Sequence, residues 1–409
     1  MKKYDSYKDS GIEWIGEIPS HWDVNKLFRL FKINTGFTPS TSNSEFYENG
    51  HYDWINISDL ESKYVSTSKT KLTDKAIEGK EIVPKGSLLY SFKLSVGKMA
   101  FADKDLFTNE AIFSIFPDDE INLNYYYYLL DRILIHNSNE NIYGAKILNQ
   151  ELIKASKLIV PSKEEQTTIA NYLDNKTTQI DDLIAKKERL IQLLEEERTA
   201  IINQAVTKGL DPTVPMKDSG IEWLGEIPAH WEVKKLKYCI QIQSGKGISS
   251  ENLNPQGEYA VWGGNGIMGY TDDFSSDGND LIIGRVGALC GNVHLVEGRK
   301  WISDNALFAK TTENQNFMEL FLKFLDLNRL ANKNAQPLIT GTMVKEQFIS
   351  LPKYDEQEQI ATYIDNQHKR IDNLLNKTQQ EIELLKEFKT ALISEVVTGK
   401  VDVREEKLS

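Results

Sequence analysis

Cysteine is almost missing from these 409 residues: Cys239 and Cys290 are the two that occur. Neither has metal-ligand spacing or a redox partner motif nearby, which leaves two buried, reduced thiols. Long apolar runs are missing too. No stretch of 18 apolar residues exists, and Met1, Lys2, Lys3, Tyr4 and Asp5 are followed by polar residues rather than by the apolar core of a signal segment. The expectation is a cytoplasmic protein with no membrane partner. An excess of positive charge is the third absence, because 48 Lys and Arg face 60 Asp and Glu for a net charge of −12. Residues 1–160 carry 19 basic against 22 acidic side chains, and residues 211–350 carry 13 against 17. No segment is net basic, which excludes indiscriminate binding to nucleic acid or anionic lipid. Any nucleic-acid surface must be a local patch, or must borrow phosphate contacts from partner subunits.

What the chain does have is repetition. Residues 161–207 and 352–398 share a start, Pro161 with Glu165, Gln166, Ile169, Ala170, Tyr172, Asp174 and Asn175 against Pro352 with Glu356, Gln357, Ile360, Ala361, Tyr363, Asp365 and Asn366. Each continues for about ten helical turns free of Pro and Gly. Apolar residues recur at Ile169, Leu173, Ile180, Leu183, Leu190, Leu194 and Ile201, and at Ile360, Ile364, Ile371, Leu374, Leu385 and Leu392. Spacings of three, four and seven describe one apolar seam on a helix roughly 60 Å long, and a seam of that length needs a partner. The other copy is the nearest one. We therefore expect helix pairing or subunit docking through Ile169, Leu173, Ile180, Leu183, Leu190, Leu194, Ile360, Ile364, Ile371, Leu374 and Leu385.

A second repeat opens each half. Residues 8–27 and 217–236 are identical at 16 of 20 positions, including Gly11, Trp14, Gly16, Pro19, His21 and Trp22 against Gly220, Trp223, Gly225, Pro228, His230 and Trp231. This is duplication. His21 and His230 each lie between Pro and Trp with no other ligand type near, so a packed or capping role outweighs metal or base chemistry. The Trp pairs read as anchors.

The stretches between these repeats hardly resemble each other, as expected when one scaffold presents two readers of different objects. In residues 28–158, a turn cluster around Gly36, Thr38 and Ser40 precedes a short strand near Trp54; residues 86–92 and 111–116 read as buried strands, and residues 123–136 as a helix. Tyr125, Tyr126, Tyr127 and Tyr128 point in several directions on that helix, which makes them core or rim rather than a stacking platform. In residues 237–349, strands are expected near residues 258–262, 280–285, 292–296 and 306–309, with an aromatic-rich helix over 317–330. Asn109, Glu110 and Ala111, like Asp304, Asn305 and Ala306, sit before matching strands and suggest a shared fold.

Catalytic signatures fail one by one. Gly264, Gly266 and Gly269 fit the dinucleotide pattern, but a turn-rich run from Tyr270 to Gly278 follows where a phosphate-holding helix should begin. Gly245-Lys246 and Gly399-Lys400 lack the upstream glycine of a phosphate loop, and Asn254-Pro255 is followed by Gln256 rather than by the Pro-aromatic pair of an adenine methyltransferase. No nucleophile stands with a base. The chain reads as non-catalytic.

The doubled Gly-Ile-Glu-Trp…Gly-Glu-Ile-Pro…His-Trp opening, the doubled Glu-Gln helix start, the turn at Thr35, Gly36, Thr38, Pro39 and Ser40, and the loop from Val261 through Gly263, Gly264, Asn265 and Gly266 to Tyr270 together resemble the specificity subunits of Type I restriction-modification enzymes, over the whole chain. The first turn departs from the family's Gly-Gly-Thr-Pro at Phe37. The resemblance implies an α+β protein with two mixed α/β target-recognition domains, separated by two long helices that form an antiparallel coiled coil with pseudo-two-fold internal duplication. Residues 1–160 and 209–350 would be the domains, 161–208 the first coiled-coil helix, and 351–409 the second helix with a tail. Each domain would read half of a bipartite, asymmetric site on double-stranded DNA, with the helix length setting the gap. Two modification (methyltransferase) subunits would dock on the helices, restriction subunits (translocase and nuclease) would join them, and S-adenosylmethionine, ATP and Mg would be bound by those partners and none by this chain. By residue type, the candidate DNA contacts are Thr38, Ser40, Trp54, Lys93 and Lys98 in the first half and Lys246, Gly264, Asn265 and Arg285 in the second. A non-enzymatic coiled-coil scaffold that binds proteins is the alternative, and salt-sensitive, sequence-selective DNA binding by the assembled complex separates the two.

Overall fold

The computed structural model describes residues 2–93, 95–136, 139–140, 146–331 and 337–406. In chain order come β1 (Tyr7–Asp9), β2 (Glu17–Pro19), β3 (Asp23–Lys26), β4 (Ile33–Thr35), β5 (Tyr52–Ile55), β6 (Tyr64–Val65), β7 (Lys71–Leu72), β8 (Leu88–Ser91), β9 (Met99–Ala102), β10 (Phe107–Thr108), β11 (Ile112–Ile115), α1 (Leu123–His136), β12 (Lys157–Val160) and the long helix α2 (Lys163–Lys208). There follow β13 (Met216–Asp218), β14 (Glu226–Pro228), β15 (Glu232–Lys235), β16 (Ile240–Ser244), β17 (Tyr259–Gly263), β18 (Gly266–Thr271), β19 (Asp280–Gly284), β20 (Val293–Val296), β21 (Trp301–Ile302), β22 (Ala306–Thr311), α3 (Gln315–Phe324), β23 (Phe348–Leu351) and the second long helix α4 (Tyr354–Val397). Two compact units result, Met1–Lys186 with Glu381–Ser409, and Lys187–Gln380. Each long helix therefore contributes one part to each unit.

Inside the units the same fold recurs. The first has a sheet in the order β4-β11-β8-β9-β6, the second one in the order β16-β22-β19-β20. A smaller sheet accompanies each, β10-β5-β7 and β18-β17-β21, with β10 parallel to β5 and β21 parallel to β17. The central strands are apolar at consecutive positions because both faces are covered. Leu88 and Tyr90 enter the core beneath α1, while Leu89 joins Ile55, Ala100 and Ile112 on the other side. Leu281 and Ile283 divide from Ile282 in the same way. Tyr125, Tyr126 and Tyr128 are buried, as core tyrosines.

The two sequence repeats meet each other. In the first turn of α2, Glu165 accepts from Nε2 of His21 at 3.0 Å and from Nε1 of Trp22 at 3.3 Å. In α4, Glu356 accepts from His230 at 2.9 Å and from Trp231 at 3.0 Å. An anionic side chain is also favoured at a helix start by the exposed N–H groups there. The next residue ties in the globular part: Gln166 accepts from the backbone N–H of Asn122 at 2.9 Å and donates to the Pro161 carbonyl at 2.9 Å. Gln357 does the same with Asn314 at 2.9 Å and Pro352 at 3.0 Å. The opposite helix ends complete the seats. Tyr125 donates to the Val397 carbonyl at 2.9 Å in the first unit, and Ser350 donates to the Val206 carbonyl at 3.3 Å in the second.

The start of one long helix thus lies beside the end of the other in each unit, which makes the pairing antiparallel. Cross-helix ion pairs occupy matching positions, Asp181 with Lys389 at 2.7 Å in the first unit and Arg198 with Asp372 in the second. The seam departs from the sequence expectation at three residues. Ile169, Leu173, Ile180, Leu194, Ile360, Ile364 and Ile371 are buried and Leu385 is half-buried, but Leu183, Leu190 and Leu374 are 43%, 43% and 39% exposed. Their neighbours Ile184, Ile191 and Leu375 are the half-buried ones. Positions 180, 184, 187, 191, 194, 198, 201 and 205 alternate in steps of four and three, so the phase set at Ile180 excludes Leu183 and Leu190. The aromatic helix also stops earlier than its pattern suggests. Asp326, in the left-handed region at φ 45°, separates α3 from a short turn at Leu327–Leu330.

Two buried charge clusters generate predictions. Lys300 and Asp280 are 1% and 0% exposed at 2.9 Å, and Lys300 also donates to the carbonyls of Val296 at 2.8 Å and Gly298 at 2.9 Å. Lys300→Met strands a buried carboxylate, so the second unit should lose about 3–5 kcal/mol, read as a lower denaturant midpoint; an unchanged midpoint contradicts this. In the first unit, Asp53 is 3% exposed. Burial alone would raise its pKa, but Lys104 at 2.5 Å, the Ser68 N–H at 2.9 Å and Lys71 at 3.4 Å hold it down to about 2. A depressed carboxyl stabilises fully above its unfolded pKa of about 4, and that stabilisation is lost as pH falls through about 2. The stability gap between the native chain and Asp53→Asn should therefore be about 2 kcal/mol wider at pH 5 than at pH 2. A gap independent of pH would show that Asp53 is not held by these partners.

Candidate nucleic-acid interface

Each large sheet has two ends. One faces the seat, where the residues before α1 and α3 meet Gln166 and Gln357. At the other end, β4 and β8 run out and β9 and β11 begin, with β5 of the smaller sheet ending beside them, and in the second unit β16 and β19 run out and β20 and β22 begin, with β17 of the smaller sheet ending there. Backbone hydrogen bonds match the two ends atom for atom. Gly36 N–H donates to the Ile112 carbonyl as Gly245 does to that of Ala306; Phe92 donates to Ala111 as Arg285 does to Asn305; Ser91 donates to Lys98 as Gly284 does to Asn292. Phe37 therefore corresponds to Lys246, Phe92 to Arg285, and Lys98 to Asn292. By the same bonds Ala111 matches Asn305, so the Asn-Glu-Ala and Asp-Asn-Ala triplets precede equivalent strands but sit one residue out of register.

The turn after the first sheet strand needs glycine for space. A Cβ on Gly36 would lie 2.1 Å from the Thr108 carbonyl oxygen, and one on Gly245 would lie 2.1 Å from that of Ser303. An indole anchors the next residue in both units. Trp54 donates from Nε1 to the Phe37 carbonyl at 2.9 Å, and Trp301 donates to the Lys246 carbonyl at 3.0 Å. The two tryptophans come from different strands, since Phe107 occupies the first unit's counterpart of Trp301 in the parallel pair. Trp54 is 7% exposed and packs with Leu72 and Phe107. It is corrected from a candidate DNA contact to the support beneath one: a buried ring cannot meet a base.

The remaining candidates gather at these strand ends. Thr38, Ser40, Lys93 and Lys98 are exposed around the first, with Ser40 hydrogen-bonded to Ser42 at 2.9 Å. Lys246 and Asn265 are exposed around the second, and Gly264 and Arg285 are half-buried there. Gly264 and Asn265 form the turn between antiparallel β17 and β18, with Gly266 at φ 109°. The glycine pattern thus makes a hairpin. Asn265 accepts from Asn292 at 3.1 Å, and Arg285 donates to the Asp304 carbonyl at 3.3 Å. Sequence reasoning missed Asn292, whose signal was its place ahead of β20 where Lys98 stands ahead of β9.

Among the described residues, several cations elsewhere in the second unit are ion-paired, and those at the strand ends are not. Lys235, Lys237, Arg299, Lys300, Lys310 and Lys323 all lie within 4.0 Å of a carboxylate. Lys93, Lys98, Lys246 and Arg285 have no such partner among the described residues. A chain of net charge −12 therefore leaves uncompensated cations at both strand ends. Among the described residues no group of three or more His, Cys, Asp or Glu could hold a metal ion, and no helix is long and apolar enough to cross a membrane.

Comparison with known proteins accords with this arrangement. The Type I restriction modification DNA specificity domain matches twice, over residues 19–194 and 228–384. The chain is 25% identical over 369 residues to the Type I restriction enzyme EcoprrI specificity subunit of Escherichia coli, covering 86% of this chain and 87% of that protein. It is 25% identical to the MjaIX specificity subunit of Methanocaldococcus jannaschii, over 96% of both. Its fold matches the HsdS subunit from Thermoanaerobacter tengcongensis with a TM-score of 0.62 at 15% identity, covering 94% of this chain and 98% of that one. A chain solved in work on complex assembly and conformational transition of the type I R-M system gives a TM-score of 0.74 at 14% identity, over 94% and 99%. The two family matches cover most of the chain, one in each half, and the chain belongs to that family: the Type I restriction-modification DNA specificity family.

Proposed function

We propose that each unit reads one half of a bipartite, asymmetric site on double-stranded DNA with its strand-end turns, while α2 and α4 set the gap between the halves. One observation carries this reading. The seats are built from the same residues twice, Glu165 with Gln166 and Glu356 with Gln357, whereas the strand ends carry Phe37, Phe92 and Lys98 in one unit and Lys246, Arg285 and Asn292 in the other at matched positions. Duplicated attachment with diverged ends suits two readers of two sequences, and unlike readers imply a target without a palindrome. Uncompensated Lys and Arg at those ends supply local attraction to phosphate, and the acidic remainder of the chain leaves most of the phosphate clamp to partners.

The partners in this reading are two modification subunits, which dock on the long helices, and restriction subunits. Leu183, Leu384 and Phe388 in the first unit and Leu190, Leu193 and Leu374 in the second are exposed on those helices, and such residues suit contact with another helical protein. Adenine methylation with S-adenosylmethionine, and translocation and cleavage with ATP and Mg, belong to the partners; this chain supplies the address.

Methylation mapping by single-molecule sequencing tests the reading in cells expressing the chain with and without its cognate modification subunit. A bipartite asymmetric motif methylated only when both are present is expected. An assembled complex that methylates no motif points instead to a protein-binding scaffold. The spacer role has its own test. Seven residues added to both helices, within 184–191 of α2 and 375–382 of α4, keep the seam in phase and add about 10 Å. The permitted gap should lengthen by about one to three base pairs with both half-sites unchanged, at roughly 3.4 Å per pair. A gap that stays fixed contradicts the spacer.

A further inference from the structure

Arg285 is held unlike the other cations at the strand ends. Lys93, Lys98 and Lys246 are exposed, each an ammonium on a flexible stem, which suits a phosphate that can be met from many directions. Arg285 is half-buried at the end of β19. Its N–H donates to the Asn305 carbonyl at 3.0 Å and its carbonyl accepts from the Ile339 N–H at 2.9 Å, so the backbone is fixed on both sides. Its guanidinium donates from Nη1 to the Asp304 carbonyl at 3.3 Å, while Nε is buried with no acceptor among the described residues. Among the described residues a group with five N–H donors therefore makes one bond, and that bond is long.

The backbone beside it is tightly packed. A Cβ on Gly264 would come within 2.9 Å of the Val286 carbonyl oxygen, and one on Gly284 within 2.1 Å of the Gly264 carbonyl oxygen. This close packing of Gly264 against Gly284 holds the end of β19, and with it Arg285, in place. The amide of Asn265, turned by its bond from Asn292 at 3.1 Å, stands on the same turn. At the matching position in the first unit, Phe92 is 2% exposed and offers no donor. The two units thus differ in kind at this point.

We infer that Arg285 selects one guanine in the half-site read by the second unit, presenting its paired donors to O6 and N7 in the major groove. A planar fork of fixed spacing matches those two acceptors, which no other base pair displays in that pattern. Because the fork is already tethered, little rotamer freedom is lost on contact. The inference rests on the DNA-reading function proposed above.

Motif mapping with variants of the full chain, co-expressed with its modification subunit, separates the two. For Arg285→Ala, methylation should spread to sites in which one G·C pair of a single half-site is replaced, with discrimination there reduced by roughly 5- to 100-fold. The other half-site stays unchanged in the same reads and shows that the variant is folded. Arg285→Lys keeps the charge but not the fork and should relax the same position. A wild-type motif with both variants unchanged in both half-sites overturns the inference and leaves the function intact. So does a uniform loss at all sites that Arg285→Lys restores, the behaviour of a phosphate contact. No motif from the wild-type complex overturns the function itself.

Discussion

The whole molecule hangs on two adjacent side chains in the first turn of each long helix. Glu165 and Glu356 take up an imidazole and an indole from the opening segment, and Gln166 and Gln357 bridge a proline carbonyl to the N–H that precedes α1 or α3. The bonds to the Glu carboxylates are worth about 1.5–3 kcal/mol each and the neutral Gln bonds about 0.5–1.5 kcal/mol, while a buried group left without its partner costs about 1–3 kcal/mol. They fix the start of the helix, the opening segment and the base of the sheet to one another. Everything beyond the base of the sheet is then free to vary, because nothing at the far strand ends is needed to hold the seat.

That freedom is visible in how the far ends are supported. Both units need a donor for the carbonyl that follows the close-packed glycine, and both use an indole, yet one comes from β5 and the other from β21. The constraint belongs to the turn, not to any one position in sequence. Around that fixed turn the units place different chemistry, two exposed lysines on one and an exposed lysine, a tethered arginine and an asparagine pair on the other. Conserving geometry while exchanging donors is how a recognition surface changes target without losing its fold.

The duplications were legible in the sequence because a folded seat tolerates few substitutions and so repeats nearly verbatim. The long helices and the doubly covered strands were legible too, through periodicity and apolar runs. The phase of the seam was not. Leu183 and Ile184 both continue the spacing from Ile180, and the choice falls to the partner helix, which local periodicity does not contain. The burial of Trp54 was hidden for a similar reason, since its partner, the Phe37 carbonyl, is a backbone atom 17 residues away. His21 and His230 looked like packed residues, and the carboxylates that hold them lie 144 and 126 residues on. Of the surface candidates, the sequence offered residue types in glycine-containing loops, and the fold brought the second-unit set to one strand end.

Equivalent seats carrying unlike readers make one measurement decisive. In a chain where residues 28–158 and 237–349 exchange places, each globular part meets the other unit's equivalent Glu-Gln pair. On the proposed reading, the exchange presents the same two globular parts from equivalent seats. Single-molecule methylation mapping of the exchanged chain with its modification subunit should return the native bipartite motif and the native gap. A soluble, assembled chain that methylates a new motif, or the two half-sites at a different spacing, would show that the seats are not equivalent and that the readers do not work as separable halves.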